Sequence, residues 1–177
     1  MKALIILADG FEEIEAITPI DLLVRAGIDV VTAGLGKKEI CGSHKIKIVV
    51  DEILDKSKDN FDAVILPGGP GHLNLMNSND VLEIVKKFYE NKKLCCAICA
   101  APKVFDKAQI LENKKYTCFP SMQKEIKSGN YCDDAVVCDG NIITSRSAGT
   151  AFDFSFAVIE NLLNNNEAKS VKDKIYY

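Results

Sequence analysis

Several signals are missing from this chain, and each absence removes a class of function. There is no basic block. The formal net charge is −3, which argues against nucleic acid or an anionic membrane as partner. Lys124, Lys127, Lys169, Lys172 and Lys174 are spaced as solvated helix faces. No apolar run is long enough to span a bilayer. The opening segment, Met1 to Ala8, is short and meets Asp9, Glu12 and Glu13 at once, so it reads as a buried first strand rather than a signal peptide. No G-x-S-x-G occurs, which argues against a serine hydrolase. The glycine-rich stretch Pro67-Gly68-Gly69-Pro70-Gly71 has no Gly-Lys-Ser/Thr after it and is not G-x-G-x-x-G, so neither nucleotide-binding loop is present. Histidine is scarce. His44 and His72 both fall in expected loops, where a surface role is commoner than a catalytic one. Cys118, Cys132 and Cys138 lack ligand pairing with either histidine, so no metal site is expected.

What is present fits one domain over residues 1–177, with 47% hydrophobic and 27% charged residues. Seven cysteines without a secretory signal point to free thiols, a reducing compartment and a cytoplasmic location. Short apolar runs alternate with amphipathic stretches. Strands are expected at 3–8, 28–33, 62–66 and 93–98, and helices at 13–26, 81–91, 102–108 and 150–163. Residues 37 to 50 read as a small hairpin. Asp139-Gly140 marks a second hairpin between two late strands. Pro19 either kinks the first helix or marks its true start, with Thr18 as cap. A polar break at Asn164 to Asn166 precedes a last short helix. This alternation predicts a mostly parallel sheet with helices on both faces, and ligands bind such sheets beyond the carboxyl ends of the strands.

Three loops meet that description: 9–15, 67–71 and the turn at Cys99. Cys99 ends a buried run and is followed at once by a helix, the layout of a nucleophile elbow. Helix N-terminal amides aimed at it would favour the thiolate and lower its pKa. The alternative is a small apolar residue at a strand end. Glu15 has Phe11, Thr18 and Pro19 as same-face neighbours, so its carboxyl pKa is expected to rise and its proton to be available for transfer. The alternative is a solvated residue in an acidic first turn with Glu12 and Glu13. Pro67-Gly68-Gly69 either presents free amides to an anion or is an ordinary turn. Cys96 and Cys99 are formally C-x-x-C, but residues three apart in a strand are about 10 Å apart and face opposite ways, too far for a disulfide.

These motifs resemble the DJ-1/ThiJ/PfpI superfamily. The resemblance rests on Ala8-Asp9-Gly10-Phe11-Glu12-Glu13-Ile14-Glu15, Pro19-Ile20-Asp21, Arg25-Ala26-Gly27, Leu66-Pro67-Gly68-Gly69, Ala97-Ile98-Cys99-Ala100-Ala101-Pro102 and Ser145-Arg146-Ser147-Ala148-Gly149-Thr150, in order along the whole chain. Thr117-Cys118-Phe119-Pro120 adds a likeness to the bacterial YajL (ThiJ) branch. The resemblance implies a flavodoxin-like three-layer α/β sandwich, a homodimer and no cofactor. Cys99 would be the oxidisable nucleophile and Glu15 its protonated partner. Gly68, Gly69 and Ala100 would supply backbone amides. Arg25, His44 and Arg146 would lie beside the site, His44 standing where the family has an arginine. Cys118 and Phe119 would flank it. Phe119 occupies the place of a family histidine, so no general base is expected there. Cys118 either packs inward or resolves an oxidised Cys99. Ala100 in place of the histidine of protease-type members argues against proteolysis.

The leading functional expectation is cofactor-independent glyoxalase III or deglycase chemistry on small reactive carbonyls. A redox sensor or stress chaperone working through Cys99 oxidation is the alternative, and a role in thiazole phosphate synthesis ranks below both, with no phosphate loop present.

Overall fold

The computed structural model describes residues 1–177. In chain order the elements are β1 (Lys2–Leu7), α1 (Glu13–Arg25), β2 (Asp29–Gly34), β3 (Glu39–Cys41), β4 (Lys47–Val49), β5 (Glu52–Ile53), β6 (Ala63–Leu66), α2 (His72–Met76), α3 (Asn79–Glu90), β7 (Leu94–Ile98), α4 (Pro102–Lys107), β8 (Lys115–Tyr116), β9 (Asn130–Tyr131), β10 (Val136–Asp139), β11 (Ile142–Ser145), α5 (Ala151–Leu162) and α6 (Asn165–Ile175).

Seven strands form the central sheet in the order β10-β11-β7-β6-β1-β2-β5, all parallel except the edge strand β10. The Asp139-Gly140 turn closes the β10–β11 hairpin, with Gly140 at φ 64°. Because side chains alternate across a strand, the sheet builds two cores. Ala3, Ile5 and Leu7 pack towards α1, α5 and α6, while Leu4 and Ile6 pack towards α3 and α4. The result is the expected flavodoxin-like three-layer sandwich with a mostly parallel sheet.

The strands run outward from β1 in both directions, with β2 on one side and β6 on the other. This reversal opens a crevice at the carboxyl ends of β1 and β6, which is where ligands bind in such sheets.

Pro19 neither starts nor ends a helix. α1 runs through it from Glu13 to Arg25, and Glu12 is the cap, its carboxylate accepting from the Glu15 N–H at 2.8 Å. Pro19 is buried against the core, so packing outweighs the lost backbone donor. The glycine-rich loop leads into α2, a short helix the sequence did not suggest. The expected break at Asn164 to Asn166 is narrower. Asn164 caps α6 by accepting from the N–H groups of Asn166 and Glu167.

Candidate active site

The site is assembled from the loops after β1, β6, β7 and β11. The first two are tied together: Glu12 N–H donates to the Gly68 carbonyl at 3.2 Å, and Gly71 N–H to the Gly10 carbonyl at 2.8 Å. Gly69 has φ 72°, and a Cβ there would lie 2.6 Å from the Gly10 oxygen and 2.7 Å from the Glu12 nitrogen. Both conformation and space therefore require glycine.

Cys99 has φ 65°, a left-handed conformation that a residue with a Cβ rarely adopts. The turn is held from two sides. Cys99 N–H donates to the Ser145 carbonyl at 2.9 Å, and the Cys99 carbonyl accepts from Phe119 N–H at 2.8 Å. This is the expected nucleophile elbow. Its thiol is half-buried, whereas Cys95 and Cys96 in the strand below are fully enclosed. Burial pushes the Cys95 thiol up to about 12 and Cys96 well above its ordinary value.

Glu15 is 1% exposed, which rules out the solvated alternative. Its Oε2 accepts from Gly68 N–H at 2.9 Å, across 53 residues of chain. Burial raises its pKa from 4.5 to about 7. The contact with Cys99 pulls the other way, the Glu12 carboxylate raises it further, and the amides of Gly68 and Ala148 lower it. Gly68 lies between the acid and the thiol. A Cβ on it would sit 2.7 Å from the Cys99 Cβ, 2.8 Å from Glu15 Oε2 and 2.9 Å from the Ala100 nitrogen. The missing side chain is what lets the two groups meet.

The thiol behaves differently from the sequence expectation. The amides of Gly69 and Ala100 do favour the thiolate, but burial and the adjacent Glu15 carboxylate outweigh them, and Cys99 is pushed up to about 12. The two groups form one acid–base pair. Losing a single proton near 7 leaves one negative charge, either on the carboxylate facing a thiol or on the thiolate facing a carboxylic acid. In the second arrangement the carboxylate repulsion is gone and the Gly69 and Ala100 amides support the sulfur.

Other expected site residues are placed less closely. The Gly68 amide serves Glu15 rather than the thiol. Arg25 is nearly three turns further along α1, about 15 Å from Glu15 along the axis, where it pairs with Asp21 at 2.6 Å. His44 is exposed, and its Nδ1 is 2.8 Å from Glu13 Oε2. The Arg146 guanidinium reaches Asp133 at 3.1 Å. Cys118 is buried and packs inward; Phe119 is 42% exposed beside the elbow. His72 is not in a loop. It opens α2 and is buried. A broad polar groove of about 1190 Å³, lined in part by Lys103, Asp106, Lys107 and Glu125, includes neither Cys99 nor Glu15.

Sequence reasoning missed Glu12 and the Ala148 amide. Glu12 could have been found, because it stands one helical turn before Glu15. Ala148 could not, since only the fold brings the loop after β11 onto Glu15.

An elbow cysteine and a buried carboxyl group at the switch point of a 2-1-3-4-5 parallel sheet define a flavodoxin-like α/β protein with a candidate thiol centre. A profile of the DJ-1/PfpI family matches residues 1–161. The chain belongs to that family. Protein DJ-1 homolog B of Arabidopsis thaliana is 41% identical over 163 residues, covering 90% of this chain, which spans only 37% of that protein's length. A deglycase of Thermococcus kodakarensis is 33% identical over 155 residues, covering 86% of this chain and 93% of the deglycase. A solved mutant of a DJ-1 superfamily protein from Salmonella typhimurium superposes with a TM-score of 0.96 at 35% identity, covering 99% and 98% of the two chains. No helix of this chain is long and apolar enough to cross a membrane.

Proposed function

We propose that this chain is a cofactor-independent enzyme of carbonyl stress, acting by glyoxalase III or deglycase chemistry on methylglyoxal, glyoxal or early glycation adducts. The observation that carries this reading is the wedge at Gly68, where the absence of a Cβ leaves Glu15 and Cys99 facing each other. The deglycase among its relatives supports the same reaction class.

In the reaction, the Cys99 thiolate adds to the aldehyde carbon, and the carbonyl oxygen takes a proton to give a hemithioacetal. Glu15 then moves a proton from that carbon to its neighbour, converting the adduct to a thioester of the hydroxy acid. Water hydrolyses the thioester, releasing the hydroxy acid and restoring the thiol. For methylglyoxal the balance is one substrate and one water to one lactate and one proton. With a hemiaminal glycation adduct, the Cys99 thiolate displaces the amine, which leaves carrying a proton, and the same hemithioacetal results.

Cys99→Ser tests the reading: turnover of methylglyoxal should vanish, and retained turnover in that variant would sink it.

A second reading draws on the same surroundings. Sulfinate oxygens on Cys99 would meet the Gly69 and Ala100 amides and a protonated Glu15, so selective oxidation is a reasonable signal. Mild peroxide should then add two oxygens to Cys99 ahead of the other six cysteines. The protein is further read as a cytoplasmic homodimer. Ile14, Ile17 and Val24 form an exposed apolar stripe on α1, and Ile46 and Val49 extend the apolar surface on the hairpin. Sedimentation at micromolar concentration tests this, and a monomer would refute it.

A further inference from the structure

His72 stands out among the residues outside the thiol pair. It is 8% exposed, and its Nε2 is buried with no hydrogen-bond partner. Its Nδ1 lies 2.8 Å from the Gly69 carbonyl, so the ring donates from Nδ1 and its lone pair sits on the orphaned Nε2. A side chain chosen for packing alone would not bury a ring nitrogen unpaired. The bond at Nδ1 is what the ring does.

Gly69 supplies one of the two amides, with Ala100, that support the Cys99 thiolate. Its backbone is in the left-handed region, which glycine reaches without steric cost, so no side chain of its own holds it there. His72 N–H also donates to the Gly69 carbonyl, at 3.2 Å. Two donors from one residue therefore grip a single carbonyl and limit how Gly69 can turn.

We propose that His72 is a positioning residue for the thiol centre, holding the Gly69 carbonyl through Nδ1 and so restricting the φ and ψ rotations at Gly69 that would turn its amide away from Cys99. This rests on the reading of Cys99 as the nucleophile. The charged groups facing the ring are Lys103 and Glu125, which pair with each other. Burial, helped by Lys103, holds the His72 pKa below its ordinary value against the opposing Gly69 contact. Both effects favour the neutral ring, and protonation of Nε2 would leave the Nδ1 donor intact.

The test compares iodoacetamide alkylation of Cys99 in wild type, His72→Asn, His72→Gln and His72→Leu, followed by mass spectrometry of the Cys99 peptide across pH. The Asn amide nitrogen overlays Nδ1, whereas the Gln amide nitrogen overlays Nε2. Loss of the Nδ1 bond should slow Cys99 alkylation by about tenfold at neutral pH in His72→Leu and His72→Gln. His72→Asn should restore most of the rate. The buried Cys95 and Cys96 serve as internal reporters of folding, since they stay unlabelled while the core is intact. Equal rescue by Asn and Gln would make His72 a packing residue and overturn the proposal. So would a wild-type rate in His72→Leu with a reactive Cys99, which would leave the proposed chemistry standing. An inert Cys99 in the wild type overturns both.

Discussion

Two carboxylates on the first turn of α1 are two residues apart and have opposite fates. Glu13 and Glu15 are both buried. Burial pushes Glu13 up as well, but the His44 ring, the His44 backbone N–H and the Ser43 hydroxyl all donate to it, and together they hold it below the ordinary carboxylate range. Glu15 receives the Gly68 amide and faces a thiol and a second carboxylate, so desolvation wins and its pKa rises to about 7. The same residue type on the same helix turn is a structural anion in one direction and a proton reservoir in the other. Glu15 lies deeper and has a second carboxylate for a neighbour, whereas Glu13 lies nearer the surface against a histidine that can carry positive charge.

The sharpest way to break the comparison is to make Glu15 unable to titrate. Glu15→Gln should lower turnover on methylglyoxal by about 10²–10⁴-fold, as expected for loss of a general acid–base group. The pH profile of Cys99 alkylation should also change. Wild type should rise near 7 and again near 12, as the pair loses its first and second protons. The variant should show one step, shifted below 12 because the carboxylate repulsion is gone. An unchanged two-step profile would mean the groups are uncoupled.

Gly68→Ala attacks the distance rather than the charge. The added methyl meets Cys99, Glu15 and Ala100 at under 3 Å. Separating the pair should cost about 10²-fold in kcat, which steady-state kinetics would read directly.

Stability should carry the same contrast with pH. The folded Glu15 pKa lies above its unfolded value of 4.5. Below 4.5 the group is protonated in both states and costs nothing. Between 4.5 and about 7 the unfolded chain ionises first, and the folded state loses stability. Glu15→Gln should therefore gain about 3 kcal/mol over wild type between pH 4 and pH 8 in urea titrations. Parallel curves for the two proteins would contradict the raised pKa.

The smallest effect belongs to Glu13. Its folded pKa is lowered and that of His44 is raised, so their contact is complete above the unfolded Glu13 value of 4.5 and below the unfolded His44 value of 6.5. It fades as pH falls through the lowered Glu13 value or climbs through the raised His44 value. Glu13→Gln should lower Tm by about 2–4 °C near pH 6 with turnover almost intact. A collapse of turnover would show that the two carboxylates are not independent.

Much of the fold was legible because its signals are local. Each buried strand is a short apolar run, Asp139-Gly140 names its own turn, and the alternation of runs with helices implies parallel pairing. Pro19 left two readings open, and the structure removes one of them, since α1 starts at Glu13 and runs through the proline. At the site, Cys99 was legible from the strand-to-helix break, and Glu15 from its apolar same-face neighbours. Their pairing was implied only by the resemblance, and its geometry was not legible, since it depends on Gly68 and Ala148 arriving from two further strand ends. The direction of the Gly68 amide and the burial of His72 were hidden for the same reason. Within this chain, helix geometry carries Arg25 away from Glu15, which its place in the sequence motif did not reveal.

Residues joined across such long stretches of chain also set an order of events in time. Glu15 meets Gly68 only once β1 and β6 are side by side, and Cys99 takes its strained turn only when Ser145 arrives with β11. Contacts between distant segments form slowly, because the intervening loops must close first. Competence should therefore lag behind secondary structure during refolding. A rapid-mixing experiment with a thiol-reactive dye could then use this one cysteine as a clock for the final docking of the sheet.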